Sequence, residues 1–161
     1  MTDEQKPKRL YKETLLAMAQ NAVGTKMFST FYMQRPDGSK FDGFGSGDRS
    51  CAAFVSGLLT MLGKIERFHG TVDSTVKDLE VSGWQKVNDI QSADVLVWEA
   101  THVGGSVSRH IGFALGDNQA ISTSYQKGSV QRHDIHFGNE QRNVEAIYRL
   151  PNWQIDKSKS K

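Results

Sequence analysis

Apolar residues fall at helical spacing between Arg9 and Gly24, where Leu10, Leu15, Met18 and Ala22 share a face and Gly24 is placed to end the helix. From Thr25 to Ser50 that period gives way to glycines with scattered aromatics, Phe28, Phe31, Tyr32, Phe41 and Phe44. This composition predicts a long folded loop of the kind that walls a binding cleft. A second stripe, Phe54, Val55, Leu58, Leu59 and Leu62, predicts a central buried helix beginning at Cys51 and stopping near Gly63. STVKDLEVSGW predicts a short helix capped by Ser74 or Thr75 and closed near Gly83, with WQKVND leading out of it. The period then shortens. SADVLVWEA is a valine-rich run suited to a strand buried on both faces, and HIGFAL, the turn GDNQ and AISTSY predict a hairpin. GSVQRHDIHF and VEAIYRL supply two more strands.

Helices followed by strands, without alternation, predict an α+β fold in which the N-terminal helices pack on an antiparallel sheet. The chain has 161 residues, 37% of them apolar, which suffices for one domain spanning 1–161 with an ordered core over about 10–153. The ends, MTDEQKPKR and DKSKSK, are polar and aperiodic, as fraying tails are. A formal charge of +2 falls short of the concentrated basic stripe that nucleic-acid binding needs. No run approaches the roughly 18 apolar residues of a membrane span, and no apolar stretch of a signal peptide is visible. The expectation is a monomer without nucleic-acid or membrane partners. Export, where it occurs, then uses another route or a removed segment.

Cys51 is the one cysteine, so its thiol is free of any internal disulfide. At the start of a helix it meets unpaired N–H groups and the positive end of the helix dipole, which favour thiolate. A lone cysteine is equally a small buried hydrophobe, and Cys51 by itself leaves both readings open. The partner that would turn it into a nucleophile is an imidazole able to take and return a proton. Of five histidines, His110 opens a strand on which Gly112 and Ala114 share its face, and those small residues predict close approach to the helix carrying Cys51. His69 and His102 fall in connections and read as exposed polar residues. His133 and His136 are three apart on a strand and point to opposite faces, which argues against a shared metal ion. GSGDRS lacks the lysine and spacing of a phosphate-binding loop.

Cys51 at a helix start, the buried run from Asp94 to Trp98, and HIGFALGDNQAI from His110 to Ile121 together resemble the NlpC-type cell-wall cysteine peptidases, relatives of the CHAP amidases in the papain-like group. The resemblance spans about Ser46 to Leu150, and its histidine motif is the most specific part. It implies a papain-like fold with the nucleophile helix packed on an antiparallel sheet, Cys51 as nucleophile and His110 as general base and then acid. The third catalytic position, a polar residue twelve after the histidine, falls on Ser122. A hairpin loop with an odd number of residues puts Ser122 on the His110 face, whereas a two-residue turn at Asp117 and Asn118 puts Thr123 there. Ser124 is a further hydroxyl candidate. The chain departs from the family pattern in having Ser50 and Ala52-Ala53 around the cysteine, with Asp48 the nearest acid, and Ser92-Ala93 before Asp94.

The activity implied is hydrolysis of peptidoglycan amide bonds, in the stem peptide or at its linkage to sugar, through a thioester and with no metal or organic cofactor. Wall fragments or stem peptides would be the partners, a protein inhibitor would fit a delivered toxin, and the place of action would be the cell wall or periplasm. Two other readings share the residues: a papain-like enzyme acting on a non-wall amide or ester, and a binding module that keeps the fold without activity.

Overall fold

The computed structural model describes residues 6–47, 49–103, 106–139 and 141–154. Asp48 therefore lies outside the described residues. Three helices, α1 (Tyr11–Asn21), α2 (Cys51–Met61) and α3 (Val72–Val81), lie with a small hairpin, β1 (Tyr32–Gln34) and β2 (Lys40–Asp42), ahead of a sheet formed by β3 (Gln85–Val87), β4 (Val95–Val103), β5 (Ser106–Gly116), β6 (Gln119–Thr123), β7 (Val130–Asp134) and β8 (Val144–Arg149). The six strands are ordered β3-β8-β4-β5-β6-β7 and every pairing is antiparallel. The α+β class and the helix-on-sheet arrangement read from the sequence are the ones observed. No helix among the described residues is long and apolar enough to cross a membrane.

The alternation of β4 and β5 sorts the core into two clusters. Val95, Val97, Ile111, Phe113 and Ile121 meet Phe54, Val55, Leu58 and Leu59 of α2, with Phe54 and Phe113 edge to face at 5.6 Å. Each such side chain, taken from water into this layer, contributes about 2–3 kcal/mol. On the other side of the sheet Leu96, Trp98, Ala114, Ala120, Ile135 and Ile147 form a smaller cluster. β4 is thus buried on both faces, with Val95 to Trp98 fully inaccessible, as its unbroken apolar run predicts.

This sorting corrects one expectation. Gly112 and Ala114 do not lie under the helix. A Cβ on Gly112 would sit 2.6 Å from the Ile121 carbonyl oxygen, 2.8 Å from the Ser122 Cβ and 3.1 Å from the Trp98 ring, so the small residue makes room for Ser122 and Trp98. α2 prefers the face carrying Ile111 and Phe113 because those bulky side chains offer the apolar area.

Other local differences have equally specific causes. The 25–50 segment contains the β1–β2 hairpin, and its aromatics pack together beside α2: Phe28 on Phe54 at 5.4 Å, and Phe31 against Phe44 at 5.5 Å and Phe68 at 6.0 Å. α3 begins one turn earlier than predicted, because Thr71 Oγ1 accepts the Ser74 N–H and caps it. Gln85–Val87 is an edge strand paired with β8. THVGGSVSR, which reads as a loop, belongs largely to the β4–β5 hairpin, with His102 exposed on β4. Asp94, almost fully buried, is held by Arg149 through two bonds of 2.9 and 2.8 Å and by the Gln91 N–H at 2.7 Å. Ala93 before it has φ +71°, a left-handed conformation normally given to glycine.

Candidate active site

Cys51 is the first residue of α2, and the loop before it is tightly constrained. The Asp42 carboxylate accepts the N–H groups of Phe31, Phe44 and Ser46 at 2.9, 2.9 and 2.6 Å. Gly47 and Gly128 touch backbone to backbone, and a Cβ on either would come within 2.7 Å of the other segment. The Ser50 hydroxyl turns back to the Gly47 carbonyl at 2.8 Å and makes no cap to the helix. The first-turn N–H groups around Cys51 are therefore left without a side-chain cap. The backbone N–H groups of Ile111, the residue after His110, and of Ala52 lie near enough to the thiol to favour its thiolate.

His110, Ser122 and His133 come from three neighbouring strands and form one chain of hydrogen bonds. His110 Nε2 is 2.8 Å from Ser122 Oγ, which is 2.7 Å from His133 Nε2, while His133 Nδ1 is 2.7 Å from the Asp134 carbonyl oxygen. Proton positions follow from the carbonyl. It can only accept, so His133 carries its proton on Nδ1 and offers a lone pair at Nε2. Ser122 O–H then donates to His133, and His110 Nε2–H donates to Ser122. What remains on His110 is the lone pair at Nδ1, so the chain fixes the tautomer of a base.

Trp98 and Phe137 enclose this chain, with Trp98 5.4 Å from the His110 ring and Phe137 stacked on His133 at 4.1 Å. Burial among these rings pushes the His110 pKa down to about 3, helped by the nearby Arg142 and His133. Burial lowers His133 as well, against the pull of the Asp134 carbonyl and carboxylate. It also pushes the Cys51 thiol up, opposed by the N–H groups of Ile111 and Ala52 and by the Arg142 charge. The resting pair is thus a neutral thiol and a neutral imidazole.

The hairpin register explains why Ser122 is the residue in place. Asp117 and Asn118 do form a two-residue turn, with φ of 50° and 59°. By itself that turn would bring Thr123 to the His110 face. A bulge between Ala114 and Gly116 adds the odd residue, pairing Ala114 with Ala120 and Gly116 with Gln119. Ser122 returns to the His110 face, and Thr123, opposite Val130, takes the other. Ser124 lies beyond β6, where its hydroxyl accepts the Lys127 N–H at 3.2 Å.

His133 was absent from the residues expected at the site. Its signal lay in the β6–β7 ladder, where Ser122 opposes Gln131 and Ala120 opposes His133, so that the serine and the histidine are diagonal neighbours on one face. His136 lies beyond the end of β7. His69 is not an exposed connector. Its Nε2 contacts the Asp78 carboxylate at 2.7 Å and its backbone N–H donates to Ser56 Oγ at 2.9 Å. Among the described residues no group of His, Cys, Asp and Glu is arranged to hold a metal ion.

Cys51, His110, Ser122 and His133 line a cleft of about 890 Å³. Its walls come from the start of α3, from the β4–β5 hairpin and from the turn after β6. Among the described residues of the glycine- and aromatic-rich segment only Arg49 reaches it, so those residues support the nucleophile loop and do not form the expected wall. The described lining is cationic. Arg49, Arg109, Lys127, Arg132 and Arg142 face one carboxylate, Asp73, which is paired with Arg109.

The chain has the NlpC/P60-type fold. NlpC2 from Trichomonas vaginalis superposes with a TM-score of 0.56 at 19% identity, covering 93% of this chain and 50% of that one. A lipoprotein-like member of the NLP/P60 family from Staphylococcus aureus gives 0.54 at 13% identity, covering 93% and 44%. The chain therefore spans about half the length of these solved structures. No protein-family model matches it, and no curated protein is similar to it in sequence.

Proposed function

We propose that this chain is a cysteine amidase or endopeptidase that hydrolyses amide bonds of bacterial peptidoglycan through a thioester on Cys51. The observation that carries the reading is the hydrogen-bond chain from the Asp134 carbonyl to His110, which leaves Nδ1 as a base in the cleft that Cys51 lines. His110 Nδ1 takes the thiol proton as Cys51 Sγ attacks the scissile carbonyl carbon. The oxyanion gathers on the uncapped N–H of Cys51. As the carbonyl re-forms, the amine departs with the proton from His110. Water then attacks the thioester, again giving its proton to His110, and Cys51 is released as the thiol. When His110 becomes positive, Ser122 accepts from it while donating to His133, and this polarised chain stabilises the imidazolium better than a lone serine would.

With a neutral resting pair the ion pair forms only during reaction, and Cys51 should react slowly with simple alkylating agents at neutral pH. The wall as substrate rests on the family resemblance of the sequence and the NlpC/P60 fold, and the cationic cleft suits an anionic polymer. Digestion of purified sacculi, at the cell wall or periplasm where such an enzyme would act, tests it. Soluble fragments released by the wild type and not by Cys51→Ala, identified by mass spectrometry, would establish the activity and name the bond. Release by neither protein would point to a non-wall amide or to a binding module on the same fold.

A further inference from the structure

Phe137, three residues beyond the end of β7, has φ +57°, a left-handed backbone that a bulky side chain rarely adopts. The turn that imposes this conformation is built on Asp134. Its carbonyl accepts the Phe137 N–H at 3.1 Å and its carboxylate accepts the His136 N–H at 3.0 Å. Ile135, within the turn, accepts the Trp98 Nε1–H at 2.7 Å and donates its own N–H to the Asn118 carbonyl at 3.0 Å. The same Asp134 carbonyl meets His133 Nδ1 at 2.7 Å, so one oxygen sets both the tautomer of His133 and the place of Phe137. The ring lands on His133, nearly parallel at 16° and 4.1 Å, and stands edge to face with Trp98 at 5.3 Å and His110 at 5.7 Å. It therefore touches both imidazoles that Ser122 joins. Phe137 is half-buried on the cleft wall, whereas Ser122 is only 1% exposed. Backbone strain persists where the surrounding structure over-determines it, and what it places here is a ring against two imidazoles.

We propose that Phe137 is a positioning residue for the base: its ring holds the His133 imidazole in line with Ser122, keeps water off that bond, and so keeps His110 in the tautomer with Nδ1 free. The inference rests on the proposed reading of His110 as the base. Ser122 has one O–H to give. Water donating to His133 Nε2 would release that O–H to point at His110 Nε2, and the His110 proton would then sit on Nδ1, presenting an N–H to the cleft in place of a lone pair. The groups around His110 do not prevent this. His133 of β7 and Arg142 of the β7–β8 connection act on it by charge, Cys51 of α2 lines the same cleft, and β4 and β6 contribute the uncharged Trp98 and Ser122. Asp134 acts on His133 and holds its Nδ1 side alone.

Nitrogen-15 NMR of the histidine side chains in the full chain reads this role without a wall substrate. His110→Asn and His133→Phe assign the two signals. At pH 7 wild type should show His110 protonated on Nε2 and His133 on Nδ1, each as a single tautomer. Phe137→Ala should give mixed tautomers at His110 and raise its titration midpoint by at least about 1 pH unit, because water then reaches the ring. Phe137→Tyr keeps the stack and should hold to the wild-type pattern. Phe137→Gly relieves the left-handed backbone without supplying a ring, and should behave as Phe137→Ala does. Mixed tautomers in wild type overturn the inference without requiring any variant to fold. So does an unchanged tautomer and midpoint in Phe137→Ala, its fold checked by the signal of His69 on Asp78. A wild-type pattern in Phe137→Gly would overturn it as well, making the turn and not the ring the determinant. Failure of sacculus digestion with the expected tautomers present would refute the wall substrate and leave the positioning role standing.

Discussion

Acid should weaken this fold through His110, by an amount that follows from its burial. The imidazole has a pKa of about 3 in the folded protein against about 6.5 in an unfolded chain. Between those values the unfolded state binds a proton that the native state refuses. The stabilisation is therefore complete above pH 6.5 and is lost as pH falls toward 3. Lowering the pH from 7 to 4.5 traverses about two pH units of this window, and at about 1.4 kcal/mol each the loss is roughly 2–3 kcal/mol. With a urea slope near 2 kcal/mol/M, the unfolding midpoint should drop by about 1 M. His133, also lowered by burial, adds a loss of the same sign. The assay is urea unfolding of wild type and His110→Asn at both pH values, followed by tryptophan fluorescence. The variant should lose less on acidification than the wild type, by about the His110 share. An identical drop in both proteins would refute the claim that His110 is buried neutral.

Ser122→Ala removes the hydroxyl between the two imidazoles and should lower kcat by about 10²-fold, whereas Thr123→Ala, on the other face, should stay within about 3-fold. Steady-state kinetics on the released-fragment assay would reveal the reverse order if the hairpin had the other register. His133→Phe keeps the aromatic stack and removes the acceptor behind Ser122. It should lower kcat by about 10-fold with KM little changed, and a fall confined to KM would contradict the positioning role. Gly112→Ala places a methyl against the Ile121 carbonyl and Ser122 at under 3 Å. It should destabilise the fold by about 1–3 kcal/mol, read as a lower thermal midpoint, and an unchanged midpoint would mean that β6 has slack.

The helix and strand layout was legible because each element buries a wide apolar face. α2 and β4 announce themselves by runs that allow no exposed alternative. Cys51 stood out because it starts a helix, and His110 because it precedes the apolar run of β5, although His110 lies inside that strand and does not open it, the ladder beginning at Ser106. What stayed hidden depended on single residues of register. The bulge near Leu115 carries no composition signal, yet it decides between Ser122 and Thr123. His133 enters only through a diagonal contact across β6 and β7, which requires knowing that ladder. Phe137 was invisible for the same reason: it reaches His133 only through the left-handed turn that Asp134 closes after β7.

The central claim is that Cys51 carries the acyl group, and intact-protein mass spectrometry after acid quench tests it most directly. Wild type mixed with soluble stem-peptide substrate and quenched within a turnover should gain the mass of the acyl fragment on the peptide containing Cys51, removable by hydroxylamine, with no adduct in Cys51→Ala. Hydrolysis by Cys51→Ala at the wild-type rate, or turnover by wild type with no adduct at any quench time, would contradict the account.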